Sequence, residues 1–384
     1  MKVTSSAFKE TAHKALHDEH LQEALGLLRT NFGGARGAAV ARLPEFEALR
    51  DAGRDIRNHT IENLDHYLEA WETKATEQGA VVHWARDGEE ARKIILELCR
   101  SVDAKLMAKS KTMISEEIAL NPFLEAEGVD VIETDLGEYI LQLADEPPSH
   151  VIGPAIHKTK EQVAELFRDS HTEFDPARRL VEIPDMVGEA RQVLRERYFE
   201  ADVGLTGANF LVAETGSSVI VTNEGNGDLS QGLPRMHIVL ATIDKVIPSL
   251  DDLATMLRLL ARSATGQEMS SYTTVSTGPR RSDAEGGPES YHVVILDNGR
   301  TGWLGTPFQE ALRCVRCGAC MNHCPVYGAV GGHAYGWVYP GPIGAVLTPA
   351  LVGIERARHL PNASTFCGKC ESVCPMRIPL PKLM

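Results

Sequence analysis

Seven of the eight cysteines in this 384-residue sequence fall between Cys314 and Cys374, at spacings suited to metal ligation. Cys314-x2-Cys317-x2-Cys320-x3-Cys324-Pro325 follows the bacterial ferredoxin run for a four-iron cluster. The physical reason is reach. One short loop can bring three thiolates to three irons of a cubane, and the chain then turns so that the fourth cysteine points toward a second cluster. Cys367-x2-Cys370-x3-Cys374-Pro375 repeats the tail of that run without its first cysteine, and in register the missing position is Ser364. In the usual crossed arrangement Cys314, Cys317 and Cys320 take Cys374 as fourth ligand, while Cys367 and Cys370 take Cys324. The chemistry expected is one-electron transfer by two iron–sulfur clusters of the 4Fe-4S type. The second is one thiolate short. Ser364, a water, His323, a partner's ligand or a 3Fe-4S form would each account for that.

Other uses of these cysteines fit less well. Two Cys-x2-Cys pairs can make a zinc ribbon, but a 2-2-3 run followed by proline is a poor match to it. The N-terminal residues lack the continuous apolar stretch of a secretory signal. A cytoplasmic, reducing location is therefore expected, and disulfides are disfavoured there. Cys99 sits among Ile94, Ile95 and Leu98 and reads as a core residue. No apolar run is long enough to span a membrane, although peripheral contact stays open. The balance of 39 Lys+Arg against 53 Asp+Glu disfavours nucleic-acid binding. Against that acidic background Arg313, Arg316, Lys369, Arg377 and Lys382 form a basic group around the cysteines, a candidate docking face.

The elements that must position these residues divide into three parts. Residues 1–75 read as helices, one from Lys9 to Leu28 stopped by Gly33-Gly34 and one from about Leu43 to Lys74. They form an N-terminal appendage or an arm for a partner. Residues 76–300 alternate strand and helix, which implies an α/β domain with a largely parallel sheet. Strands are expected at 80–85, 105–109, 129–133, 210–213, 218–222, 237–241 and 291–296, with the alternation reaching Val151-Ile152. Asp87, Ser115 and Thr159 are expected helix N-caps, and Asn121-Pro122 a break. Residues 301–384 carry the cysteines. The Gly- and Pro-rich insert between the two motifs reads as a constrained loop packed on a cofactor or partner, or as a tight turn before a helix near Pro349–Ala357.

Strand ends are where α/β sheets place ligands. A cleft built from Lys109, Glu133, Glu214, Asn223, Arg235 and His237, with Glu224 nearby, could hold a small carboxylate. Turn chemistry and solvated charge explain the same residues equally simply. Gly204-x-Thr206-Gly207 and Gly225-x-Gly227 do not make a dinucleotide fingerprint. No catalytic residue is marked.

Two stretches resemble one family. Cys314-Val-Arg-Cys-Gly-Ala-Cys-Met-Asn-His-Cys-Pro-Val-Tyr327, with Gly331-Gly-His-Ala-Tyr-Gly336 and Gly341-Pro-Ile-Gly-Ala-Val-Leu-Thr-Pro349, is similar to the lactate-utilization iron–sulfur proteins of the LutB type. Gly204-Leu-Thr-Gly-Ala-Asn209, Ala213-Glu-Thr-Gly-Ser217 and Asn223-Glu-Gly-Asn226 resemble that family's LUD domain. The resemblance implies a sugar-isomerase or CoA-transferase-like α/β domain, followed by an α-helical ferredoxin-like iron–sulfur domain. It implies seven cluster cysteines and a role as electron-transfer subunit in oxidising L-lactate to pyruvate. The partners implied are a cysteine-rich subunit and another LUD-domain subunit. Family members continue beyond the second motif, whereas this sequence reaches only Met384. Two other functions remain open: an electron carrier for glycolate or heterodisulfide chemistry, and an isomerase or transferase with structural clusters.

Overall fold

A computed structural model describes residues 2–282 and 284–384, without the side chains of 27–30; the apolar position expected at Leu28 lies outside the described residues. Among the described residues ten strands form two sheets: β1 Val81–Ala85, β2 Leu106–Lys109, β3 Asp130–Glu133, β4 Val203–Gly207, β5 Phe210–Val212, β6 Ser217–Thr222, β7 Met236–Thr242, β8 Val246–Ile247, β9 Tyr272–Ser276 and β10 Ser290–Leu296. The larger sheet has the order β1-β10-β7-β4-β2-β3, and every pair in it is parallel. A smaller mixed sheet has the order β8-β5-β6-β9.

Burial explains the larger sheet. β7 is buried at all seven positions, and β10 at five of seven. Such strands read as apolar runs because helices cover both faces. Helix Gly88–Ser101 covers one face with Ala91, Ile95, Leu96 and Cys99, all buried in one core with β2, β4 and β7. Helix Leu64–Glu77 covers the other with Leu68, Trp71 and Ala75. Asp87 and Thr159 cap helices as expected, Asp87 accepting from Glu90 N–H and Thr159 closing a capping box with Gln162.

Several expectations shift for physical reasons. The first helix breaks near Asp18, which caps the next helix, Glu19–Ala41, by accepting from Leu21 N–H at 3.0 Å. That helix runs through Gly33-Gly34. Tertiary contacts outweigh the ~1 kcal/mol helix penalty of each glycine. At Gly33 a Cβ would stand 3.8 Å from the His323 ring, an ordinary contact, and Arg36 donates to Val373 O at 3.0 Å. The 43–74 helix is two, Phe46–Glu62 and Leu64–Glu77. Thr112, not Ser115, caps helix Met113–Glu117, accepting from Ile114 N–H. Pro122 falls in the first turn of helix Leu120–Ala126, where its missing N–H costs nothing.

No strand forms at Val151-Ile152. That loop crosses to the cysteine segment instead. His150 Nε2 lies 2.9 Å from Asn322 Oδ1, and Tyr327 donates to Ser149 O at 2.8 Å. Strands β4, β8 and β9 escaped the sequence pattern. β4 is disguised by Gly204, where a Cβ would stand 1.6 Å from Ser230 O. The N-terminal helices are not a detached arm, because Leu25, Phe46 and Ile61 share one core with helix Leu250–Ala264 and the cysteine segment. Among the described residues no helix is long and apolar enough to cross a membrane.

Candidate iron–sulfur centre and adjoining cavity

The sequence repeat is also a backbone repeat. Arg316 and Phe366, each one residue before a cysteine, both take left-handed φ values, 59° and 51°. The glycines after those cysteines, Gly318 and Gly368, have φ 74° and 75° and open the short helices Ala319–Asn322 and Lys369–Val373. Left-handed residues on either side of each cysteine turn successive backbone N–H groups inward, making a nest for negative charge. In the first loop Arg316 N–H donates to Cys314 Sγ at 3.4 Å. At the same place in the second loop Phe366 N–H donates to Ser364 Oγ at 3.0 Å.

Cys314, Cys317, Cys320 and Cys374 line one small cavity, closed by Val151, Ile343, Met376 and Ile378. Burial pushes the Cys317 thiol up to about 12, with the neighbouring Cys374 and Cys314 adding to it, and raises Cys320 well above its usual range. Burial likewise pushes Cys374 up to about 11. Four thiols facing each other, three of them buried, serve packing badly. They suit a group that takes up thiolate charge, as metals and clusters do. The surroundings fit such a group. Ile378 N–H donates to Cys374 Sγ at 3.5 Å, and Tyr327 N–H to Cys324 Sγ at 3.5 Å. Arg36, Arg50 and Arg316 lie in electrostatic reach of these sulfurs.

Cys324, Cys367 and Cys370 form the other group: burial, with the charge of the neighbouring thiols adding to it, raises Cys324 and pushes Cys370 up to about 11, whereas Cys367 is lowered. Hydrogen bonds from Thr365 and Lys369 N–H hold Cys367 down. Cys324 is half-buried and Cys367 exposed, beside Phe366 at 54% exposure. His323 Nδ1 is tied to Ala319 O at 2.9 Å. The insert does wrap the first group, but as a helix: Gly341–Val352 begins eight residues earlier than expected, and its Ile343 N–H bonds Cys320. The basic docking face largely turns inward. Arg313 is buried, Arg316 reaches Asp244, and Arg377 pairs with Glu47 and Asp51, leaving Lys369 and Lys382 exposed.

A cavity of about 240 Å³ opens at the C-terminal edge of the larger sheet. The chain leaves β2 toward β3 on one side and β4 on the other, so this is the switch point where open α/β sheets bind ligands. Its walls include Ser110, Lys111, Asp135, Gly207, Asn209, Asn223 and Lys245. Val151 and Arg316 line both this cavity and the four-cysteine one.

Of the six residues expected in a cleft, only Asn223 lines this cavity, with Glu224 beside it. Lys109 and Glu133 do meet, Nζ to Oε1 at 2.7 Å, but as a buried pair that also engages Ser115 and Asn121. Arg235 and His237 stand at the start of β7, the opposite edge of the sheet. Arg235 pairs there with Asp202 at 3.6 Å, and His237 with Thr206 at 2.9 Å. Glu214 is exposed and accepts from Leu250 N–H at 2.9 Å. Lys245 and Arg316 were missed. Lys245 follows β7 by three residues, a position that strand-end reasoning could have reached.

An α/β body built on an all-parallel six-stranded sheet, with a ferredoxin-type cysteine segment folded against it, defines an LUD-domain iron–sulfur protein. The LUD domain model matches residues 68–296, and the 4Fe-4S dicluster domain model matches 310–378. The chain belongs to the lactate utilization protein B family. It is 44% identical over 385 residues to Lactate utilization protein B of Bacillus velezensis, covering all of this chain and 80% of that protein. The protein of the same name from Shouchella clausii is 44% identical, and that from Bacillus subtilis 43%, each covering the whole of this chain and 80% of its own. A crystal structure of a DUF162 family protein from Deinococcus radiodurans overlaps 61% of this chain and 98% of its own, at 13% identity and TM-score 0.34.

Proposed function

We propose that this lactate-utilization iron–sulfur protein is the electron-transfer subunit of a cytoplasmic complex that oxidises L-lactate to pyruvate. In this reading Cys314, Cys317, Cys320 and Cys374 hold one 4Fe-4S cluster, and Cys324, Cys367 and Cys370 hold a second. Residues 1–75, 76–300 and 301–384 are its helical, LUD and cluster parts. The partners are a cysteine-rich subunit and a second LUD-domain subunit.

The supporting observation is the placement of the two cysteine groups. The first shares Val151 and Arg316 with the cavity at the sheet edge, and the second reaches the surface at Cys367 and Phe366. Two clusters bound there would supply one-electron transfer between the interior and a partner docked at that edge. The chain's own residues exclude water from the first group with Met376, Ile378 and Ile343 and supply backbone N–H donors to sulfur.

The test is anaerobic reconstitution of the full chain, iron and sulfide counting, and EPR after adding L-lactate with the partner proteins. Lactate-dependent reduction of both clusters is expected. Iron-free protein, or clusters reduced by glycolate but not lactate, would reject the reading.

A further inference from the structure

We propose that the cavity at the C-terminal edge of the larger sheet binds a small 2-hydroxy carboxylate, with Lys245 and Arg316 holding its acid group beside the first cysteine group. This rests on the electron-transfer reading and assigns it a ligand site. Lys245 carries the argument. It is 7% exposed, it lines the cavity, and among the described residues it forms no hydrogen bond or ion pair. A buried ammonium with no hydrogen-bonded partner is costly, so a group that pairs with it directly on binding is favoured. Burial depresses it to about 8, with Arg316 acting in the same direction and the charges of Asp244 and Cys314 opposing. An arriving carboxylate would relieve both effects.

Arg316 presents the second cation. Its guanidinium donates to Cys314 O at 3.3 Å, lies 3.9 Å from Asp244 and packs over the Tyr339 ring. Its Nε is buried and unpaired. The cavity is also lined by Lys111, by the carboxylates of Asp135 and Glu224, and by the neutral hydrogen-bonding groups of Ser110, Asn209 and Asn226. The neutral groups suit a hydroxyl beside the acid. The volume, about 240 Å³, lies below that typical of drug-sized ligands and suits a metabolite of a few heavy atoms.

The test is isothermal titration of the cluster-loaded full chain with L-lactate, lactamide, acetate and inorganic phosphate, with EPR on the reduced protein. L-lactate should bind, lactamide should bind about tenfold or more weaker, and acetate should fall between them. Lys245→Gln should cost about tenfold in lactate affinity and Lys245→Arg less. Lactate should also shift the signal of the first cluster. Loaded protein that binds no lactate would overturn this inference and leave the electron-transfer reading standing. Phosphate binding as tightly as lactate would overturn the carboxylate assignment. A Lys245→Gln protein with an altered cluster signal but unchanged lactate affinity would make Lys245 a counter-charge only. A chain that takes up no cluster would remove both readings.

From a separate observation we infer that Ser364 Oγ supplies the fourth ligand of the second cluster. The two loops share their backbone turn, and Ser364 Oγ accepts from the N–H two residues on, as Cys314 Sγ does. The oxygen therefore stands where a ligand stands in the complete run. Iron counting and EPR of Ser364→Ala and Ser364→Cys test it. Ser364→Ala should lose one iron on mild oxidation and show a three-iron signal, while Ser364→Cys should keep all its iron with a shifted spectrum. Ser364→Ala with unchanged iron and spectrum would overturn it.

Discussion

Arg300 and Glu117 form an ion pair wholly shut off from water, Nη2 lying 2.7 Å from Oε2 with neither side chain accessible. Tyr339 donates to the same carboxylate oxygen at 2.6 Å, and Asn298 to the other at 2.6 Å. Three parts of the chain meet at this carboxylate: the helix after β2, the turn after β10, and the insert between the cysteine motifs. Burial alone would raise the Glu117 carboxyl. The charge of Arg300 and the hydrogen bonds overcome that and leave it below its usual range.

Removing the Glu117 charge leaves the buried Arg300 with Asp244, 3.3 Å from its Nε, as its remaining counter-charge. Glu117→Gln should therefore destabilise the chain by about 3–5 kcal/mol, the usual cost of breaking a buried pair. Replacing both, as Glu117→Leu with Arg300→Met, should cost less than either single change. Urea unfolding followed by circular dichroism measures this. A single change costing under about 1 kcal/mol would place the coupling elsewhere.

Gly204→Ala should be among the most damaging substitutions in the sheet. The added Cβ would meet backbone, Ser230 O at 1.6 Å, rather than a side chain that can swing aside. Either β4 or helix Asn226–Gly232 must move. Loss of soluble folded protein, or a thermal midpoint lowered by more than about 10 °C, is expected. Gly232→Ala, with nothing within 4 Å, should be mild by comparison.

Much of the architecture was legible, for reasons particular to certain residues. Thr159 and Asp87 are read easily because a cap needs only local chain. Helix Leu250–Ala264 is set by local chain as well, Ser249 capping it by accepting from Asp252 N–H. Gly33-Gly34 misled because the tertiary contacts that hold the helix through it, such as Arg36 to Val373 O, are not a local property. Gly204 looked like a motif glycine and is instead a point of close approach. The cysteine motifs were legible because ligand spacing lies within one short loop. The cavity was not, since it joins Lys245, Arg316 and Asn223 from three distant segments. Lys109 and Glu133 drew attention as strand-end charges, yet β2–β3 register sets them side by side as each other's partner.

The crossed assignment predicts which serine change damages which cluster. Cys374→Ser, the last cysteine in sequence, should perturb the cluster built on Cys314, Cys317 and Cys320, whose cavity it shares. Cys324→Ser should instead perturb the exposed one with Cys367 and Cys370. EPR of each reduced variant, with iron counting, separates the two cases. Cys374→Ser changing only the signal of the exposed cluster would reverse the assignment.

Glu138 offers a pH test away from the iron. It sits in the first turn of helix Leu136–Ala144, 4% exposed, and its Oε1 has no hydrogen-bond partner among the described residues. Burial raises its carboxyl to about 8. Lys111 opposes that shift, Glu133 and Glu116 add to it, and Lys109 opposes it more weakly. In the unfolded chain a glutamate titrates near ~4.3. Between those two values the folded state holds the extra proton, so stability falls as pH rises through that window and is level on either side. Glu138→Gln removes the ionisation without changing the shape. The variant should therefore gain on the parent steadily between about pH 5 and pH 8 and hold a constant advantage above that. Urea midpoints measured across this range read the effect directly. Parallel curves for parent and variant would mean that Glu138 ionises normally in the fold and that Lys111 and Lys109 outweigh its burial.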